Sequence, residues 1–282
     1  MADSKEQVGI VGAGRMGLSM LKHLVQKGYA VTVCDISDKQ REAARAAGAS
    51  VVATPAEVGK ASTIVILGVG YDDEVEDVVF GRHGLVETMT PGSIIAVSST
   101  AKPDNMKALA ARVAAKGIDI IDAPICRGRF AADSGTLLAL VGGKPEIVER
   151  VRPVFATFAS DVVHLGEIGN GQVGKAINNL MLWFNACGVM EAGRLAEKTT
   201  VDMVKLRDAL LTSSAASDSL KEWDRVSFTW AMKDMQIVSD MTDKAGLSLP
   251  LTGAVKEVVK EARRVKASNP PNWTGNKPLK YS

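Results

Sequence analysis

Cysteine and histidine are scarce, with three of each in 282 residues. Cys34, Cys126 and Cys187 lie far apart and form no CxxC pair, and His23, His83 and His164 show neither HxxxH nor HExxH spacing. That pattern offers no zinc site, no thioredoxin motif and no metal centre. An odd, low cysteine count fits a reducing compartment, so the expected location is cytoplasmic. No apolar run reaches the roughly 18 residues of a membrane-spanning helix, and Met1 to Gln7 is polar, unlike a secretory leader. An excess of one charge is missing too. Lys and Arg total 34 against 32 for Asp and Glu, a net +2, too balanced for a nucleic-acid binder or a polybasic membrane protein. Aromatic residues are only 5%, whereas Ala, Val, Leu and Gly abound. This mix suits parallel strands packed on helices better than an all-β sandwich.

What is present is ordered along the chain. Short apolar runs at Val8–Val11, Val31–Cys34, Ile64–Val69, Ile94–Val97, Ile118–Asp122 and Leu137–Val141 predict strands, with a shorter one at Val51-Val52. Between them, Met20, Leu21, Leu24 and Val25 recur at helical spacing, and Lys39–Ala47 and Lys102–Lys116 also read as helices. Strands alternating with helices indicate βαβ units and a mostly parallel sheet. The character changes near Gly166. Lys175–Lys198 contains no proline and predicts one long helix, and the pattern stays helical to about Ala267, with breaks near Ser213-Ser214 and at Gly246–Pro250. The tail from Ser268 to Ser282, rich in Asn, Pro and Lys, is expected to be irregular. The fold class is α/β: a Rossmann-type, mostly parallel sheet domain over 1–166, then an all-α C-terminal domain over 167–282 that includes the joining helix.

The first strand ends in Gly12-Ala13-Gly14-Arg15-Met16-Gly17 and leads into a helix. A GxGxxG is a weak signal alone, but inside a βαβ unit it has a mechanism. Gly12 permits the tight turn, Gly14 lets the backbone approach a pyrophosphate, and Gly17 lets the helix pack close to the strand. The helix N-terminus then offers N–H groups and a positive dipole end to the phosphates. Asp35 ends the second strand, 18 residues after Gly17, where an acid binds the adenosine ribose hydroxyls and repels a 2′-phosphate. NAD is therefore favoured, while Lys39 and Arg41 nearby keep NADP open. The competing reading of Asp35 is a turn acid or helix cap.

The run Val8-Gly9-Ile10-Val11-Gly12-Ala13-Gly14-Arg15-Met16-Gly17 resembles the opening of the β-hydroxyacid dehydrogenases, the 3-hydroxyisobutyrate dehydrogenase family. Further blocks agree in order: Ser99-Thr100 with Pro103; Asp122-Ala123-Pro124 through Gly135-Thr136-Leu137 and Gly142-Gly143; Gly169 through Asn179; and Lys233-Asp234. The resemblance covers nearly the whole chain. It implies a nicotinamide-dependent enzyme acting on a small carboxylate, with its active site in a cleft between two domains, and self-association as a homodimer or homotetramer.

By resemblance, Lys175 is the general acid/base, and Asn179, four residues on and on the same helix face, holds the substrate. Asn178 is left to pack or cap. Without the resemblance, a solvated Lys in an amphipathic helix is the simpler reading. The substrate block departs from the family. Where many members carry Ser-Gly-Gly after an apolar residue, this chain has Cys126-Arg127-Gly128 after Ile125. A thiol is a weaker donor than a hydroxyl, and losing a Gly restricts the backbone where φ > 0 is needed. Arg127 adds a fork-shaped cation suited to a carboxylate; the alternatives are a surface residue or a cofactor contact. Thr100, with Ser99, either meets the nicotinamide or its ribose or caps the next helix. Lys233 either reaches the cofactor, as the resemblance implies, or is solvated. Gly68-Val69-Gly70 stands where the family usually has a Pro. Trp183 either lines the pocket or packs in the core. The leading function is hydride transfer between NAD and a small β-hydroxyacid. The alternatives are an NADPH-dependent reductase of a related aldehyde acid or imine, and a non-catalytic dinucleotide-binding protein.

Overall fold

The computed structural model describes residues 6–276. The chain divides into two compact units, Met1–Lys175 and Ala176–Ser282.

The first unit is built on six parallel strands, β1 (Val8–Val11), β2 (Val31–Cys34), β3 (Ser50–Val51), β4 (Ile64–Leu67), β5 (Ile94–Val97) and β6 (Asp119–Asp122), in the order 3-2-1-4-5-6. This doubly wound order reverses between β1 and β4, and such a switch point opens a crevice at the carboxyl ends of the strands. The central strands are apolar at every position because both faces are covered. Ile10, Ile64, Ile66, Ile94 and Ala96 join one core, whereas Val11, Val65, Leu67, Ile95 and Val97 join the other. Successive side chains alternate between faces, so a continuous apolar run feeds two cores at once. Each Val, Ile or Leu among them contributes roughly 1.5–3 kcal/mol on full burial.

Helix α1 (Arg15–Gln26) follows β1, and α2 (Asp38–Ala46) follows β2. Four helices in this unit escape the sequence patterns: α3 (Pro55–Ala61), α4 (Asp72–Phe80), α6 (Gly128–Ser134) and α7 (Pro145–Phe155). Only α5 (Pro103–Ala114), beside β6, was expected among the later ones. The start of α3 is set by a capping box between Thr54 and Glu57.

One expected strand lies elsewhere. Leu137–Val141 (β8) is not a seventh member of the parallel sheet. It is the middle of a separate three-stranded sheet, antiparallel to β7 (Ile125–Cys126) and parallel to β9 (Ala159–His164). A main-chain bridge between Asp122 and Gly142, with N–H···O distances of 3.1 and 2.8 Å, joins the end of β6 to the residue after β8.

The long helix α8 runs Asn170–Ala196, beginning five residues before the sequence pattern suggested. Gly171 and Gly174 do not break it. A Cβ at Gly171 would stand 2.5 Å from the Leu140 carbonyl oxygen, and one at Gly174 would stand 2.5 Å from Leu165. These glycines allow close approach to β8 and to the segment after β9.

The second unit contains α9 (Met203–Leu211), α10 (Asp218–Lys221), α11 (Ala231–Ala245) and α12 (Pro250–Ser268), with no strand among its described residues. Its core joins Trp183, Ala186, Cys187 and Met190 of α8 to Met235, Val255, Val259, Trp223 and Trp273. Three buried tryptophans each have their indole N–H satisfied: Trp183 by Asp234 at 3.0 Å, Trp223 by the Pro271 carbonyl at 2.8 Å, and Trp273 by the Val189 carbonyl at 3.1 Å. Burial pushes the Cys187 thiol up to about 12, which leaves it inert. Residues 277–282 of the tail lie outside the described residues, and Asn269–Asn276 form no helix. No helix among the described residues is long and apolar enough to cross a membrane.

Trp183→Phe keeps the packing and deletes the donor to the buried Asp234 carboxylate. The expected cost is about 1–3 kcal/mol, read as a lower denaturation midpoint with an unchanged m-value.

Candidate active site

The glycine loop has the geometry its sequence demands. Gly12 has φ +92°, and a Cβ there would lie 2.8 Å from the Gly68 carbonyl oxygen, across the switch point. A Cβ at Gly17 would overlap the Gly12 carbonyl oxygen, whereas one at Gly14 would meet nothing within 4 Å. Gly14 therefore faces open space at the start of α1, where no side chain caps the helix. This cradle of open backbone N–H groups fits a pyrophosphate. Asp35 holds it from the end of β2. Its Oδ2 accepts the Ala13 N–H at 2.7 Å and its Oδ1 accepts the Ser37 N–H at 2.8 Å. Arg15 is turned away and paired with Asp133, and Met16 is half-buried against the core. Arg41 is tied to Asp38 and donates to the Asp35 carbonyl at 3.0 Å. Ile36, beside Asp35, is 100% exposed.

At the other end of the same sheet edge stands Asp122, wholly buried. Its carboxylate accepts the N–H of Gly169 at 2.6 Å and of Gln172 at 2.7 Å, which caps the start of α8. Burial pushes this carboxyl up to about 6, against the pull of its backbone N–H bonds. Gln172 is buried as well. Its side-chain amide donates to the Ser99 carbonyl at 2.8 Å and accepts the Ala101 N–H at 3.0 Å. Thr100 lies between these two contacts.

One turn beyond Gln172, Lys175 directs its amine at β7 (Ile125–Cys126). Nζ donates to the Ile125 carbonyl at 2.7 Å and lies 3.8 Å from Cys126 Sγ. Cys126 is buried. Arg127 has φ +78° and Gly128 φ +71°, so the turn into α6 is left-handed at two successive residues. The Arg127 side chain leads to the small sheet, where Nη1 donates to Asp161 at 2.6 Å, Ser160 Oγ at 2.9 Å and the Thr136 carbonyl at 3.1 Å. This guanidinium holds the Asp161 carboxyl below its usual range.

In the second unit, Asn179 is buried and its Oδ1 accepts from Asn178 at 3.0 Å. Lys233 is half-buried, with Nζ 5.8 Å from the centre of the Trp230 ring. Its neighbour Asp234 takes the Trp183 indole, so Trp183 is a core residue that ties α8 to α11. Among the described residues, no group of three or more His, Cys, Asp or Glu side chains could hold a metal ion.

Two family models cover these features. Residues 7–166 match the NAD-binding domain of 6-phosphogluconate dehydrogenase, and residues 169–270 match the NAD-binding domain of NADP-dependent 3-hydroxyisobutyrate dehydrogenase. The 2-hydroxy-3-oxopropionate reductase of Escherichia coli (strain K12) is 31% identical over 262 residues, 89% of each chain. The chain belongs to the 3-hydroxyisobutyrate dehydrogenase family. It is an oxidoreductase whose cofactor is NAD(P). The solved 3-hydroxyisobutyrate dehydrogenase of Mycobacterium tuberculosis, recorded with L-serine, superposes with a TM-score of 0.83 at 22% identity, covering 96% of this chain and 98% of that one. An imine reductase of Myxococcus stipitatus with NADP+ superposes less closely, at 0.64 and 18% identity, covering 95% and 98%. At those identities both show the fold alone.

At 126–128, where the resemblance implied Ser-Gly-Gly, Arg127 takes the left-handed backbone that a Gly adopts freely, and its side chain is tied down on the small sheet. Residue patterns did not single out Gln172 or Ile36. Their signals were faint: a polar residue in a glycine-rich run, and an apolar residue directly after an acid at a strand end.

A non-Gly residue at φ +78° costs roughly 1–2 kcal/mol, whereas the exposed Arg127–Asp161 pair contributes about 0–1 kcal/mol. Arg127→Gly should therefore melt at or above the wild-type temperature. Arg127→Ala, which keeps the strain and loses the pair, should melt lower. A Gly variant less stable than the Ala variant contradicts this assignment of strain.

Proposed function

We propose that this chain interconverts a small β-hydroxyacid and its carbonyl counterpart, preferring NAD to NADP, with Lys175 as general acid/base. The observation that carries the reading is the Lys175 amine, 2.7 Å from the carbonyl of Ile125 in the substrate block, beside a sheet edge whose glycine loop fits a dinucleotide. When bound, the nicotinamide supplies or takes up the hydride.

The chain's own residues do the rest. An ammonium has three donors. One is committed to Ile125 and one is within reach of Cys126, which leaves a third for the substrate oxygen. In oxidation the neutral amine takes the hydroxyl proton; in reduction the ammonium returns it. Asn179, one helical turn on, orients the substrate hydroxyl or carboxylate through its amide. Cys126 and the open backbone at Gly128, where a Cβ would meet nothing within 4 Å, receive the rest of a carboxylate substrate. An anion contact from Arg127 has to use the guanidinium nitrogens that Asp161 leaves over. Gly12, Ala13, Gly14, Arg15, Met16 and Gly17 form the pyrophosphate cradle, with Thr100 at the nicotinamide side. Lys233 is assigned a cofactor contact on the resemblance.

The preference for NAD rests on Asp35. Its carboxylate is fixed at the end of β2, and Arg41 is engaged with Asp38, so a 2′-phosphate would meet a negative charge. Exposed Ile36 offers apolar surface to the adenine ring. The chain is read as a cytoplasmic homodimer or homotetramer with no nucleic-acid or membrane partner. A non-catalytic role sits poorly with an amine so placed, and the imine-reductase reading gains nothing beyond the shared fold.

Lys175→Ala should lower turnover of the best hydroxyacid by at least about 10²-fold while NADH affinity stays near wild type. Persistent turnover would exclude Lys175 as the proton carrier. Asp35→Ala should erode the NAD/NADP preference in kcat/KM by about 10-fold, roughly 1.4 kcal/mol. An unmoved ratio would show that Asp35 serves only as a turn acid.

A further inference from the structure

Gln172 is used by no step above, yet it is a wholly buried polar side chain between two parts of the site. Its amide makes both of its bonds to one loop, the Ser99 carbonyl and the Ala101 N–H. That loop carries Thr100 and follows β5. Its own main chain is fixed by the Asp122 carboxylate through the Gln172 N–H at 2.7 Å, and Lys175 stands three residues later on the same helix. We propose that Gln172 is a positioning residue, whose amide locks the Thr100 loop to the first turn of α8 and so sets the spacing between the cofactor's nicotinamide side and the Lys175 amine. This rests on the hydride-transfer reading of the site.

The chemistry of the clamp is specific. A primary amide offers one donor and one acceptor side by side, and the loop presents the complementary pair, a carbonyl and an N–H two residues apart. A leucine fills similar volume but satisfies neither group. A glutamate accepts from Ala101, but when ionised it faces the Ser99 carbonyl with a second acceptor. Protonated, it regains a donor and reproduces the amide. The ionisable side chains around the clamp include Lys102 on the loop itself, Asp104 and Lys107 of α5, Asp122 of β6, His164 of β9, Glu167 before α8 and Lys175 in its second turn. His164 is bonded to the Gly143 and Gly166 carbonyls, and Lys107 approaches the turn at Gly169. Asp122, the carboxylate bonded to this turn, is ionised above about pH 6. Burial and that like charge both raise the value of an introduced Glu above the ordinary carboxylate range.

The test uses the full chain and the variants Gln172→Leu and Gln172→Glu, with melting temperatures as a check on folding. For Gln172→Leu we expect kcat/KM to fall by about 10²-fold, mostly through kcat, and NADH affinity measured by calorimetry to weaken several-fold. For Gln172→Glu, the activity and NADH affinity relative to wild type should rise by about 10-fold as pH falls from 8.5 to 6.5, since only the protonated Glu completes the clamp. A residue that merely fills space leaves Gln172→Leu, of similar volume, at wild-type kcat and NADH affinity. The proposal is overturned if Gln172→Leu matches wild type in kcat and NADH affinity, or if the Gln172→Glu ratio is flat. Should Gln172→Leu fail to fold, the Gln172→Glu ratio alone decides. Should wild type turn over no hydroxyacid, the proposed function falls, while the pH dependence of NADH affinity in Gln172→Glu still decides the role of Gln172.

Discussion

The Asp122 carboxylate is buried, and its hydrogen-bond partners are main-chain N–H groups at the start of α8. A helix leaves its first N–H groups without partners and carries a partial positive charge there. A carboxylate answers both, and here the two needs are met inside the protein. Burial outweighs the bonds, since the group stays well above the usual carboxylate range. Between its ordinary value near 4 and about 6 the folded chain retains a proton that the unfolded chain has released. Ionisation of Asp122 therefore lowers stability over that window, with no further change above it. The site operates with a local cost to folding that the two large apolar cores of the first unit offset.

That constraint organises the neighbouring chemistry. With the first turn of α8 held, Gln172 faces the loop after β5 and Lys175 faces Ile125. Asp122 also closes the main-chain bridge to Gly142. One residue at the end of β6 thus meets the parallel sheet, the small sheet and the long helix. The glycine loop at the switch point is held in an analogous way from the end of β2, where Asp35 accepts the Ala13 N–H.

The parts of this arrangement readable from sequence are those with local causes. Val8–Val11, Val31–Cys34, Ile94–Val97 and Leu137–Val141 have the bounds read from sequence, because a continuous apolar run between breakers is already the signature of a strand covered on both faces. The same signal does not say which sheet a strand joins. Leu137–Val141 went to the small sheet through pairings with residues up to about two dozen positions away. Strand β9, Ala159–His164, escaped because it is half-exposed and its apolar residues are few. The start of α8 was hidden by Gly169, Gly171 and Gly174, which read as loop. Their purpose emerges only when β8 and Asp122, 50 residues from Gln172, come alongside. Arg127 was read as a candidate anion receptor because an isolated guanidinium next to a substrate block suggests it. Its Asp161 partner lies 34 residues on, beyond any local pattern.

The helix that carries Lys175 is anchored upstream of the 126–128 segment. Its N-terminal hydrogen bonds run to Asp122, whereas the Lys175 amine meets Ile125 and Cys126, past Pro124. Substitutions in that short stretch reshape what the amine faces without loosening what holds it. The surroundings of the amine and the anchor of its helix are therefore set by different residues of one short connection, Asp122 on one side of Pro124 and Ile125-Cys126 on the other.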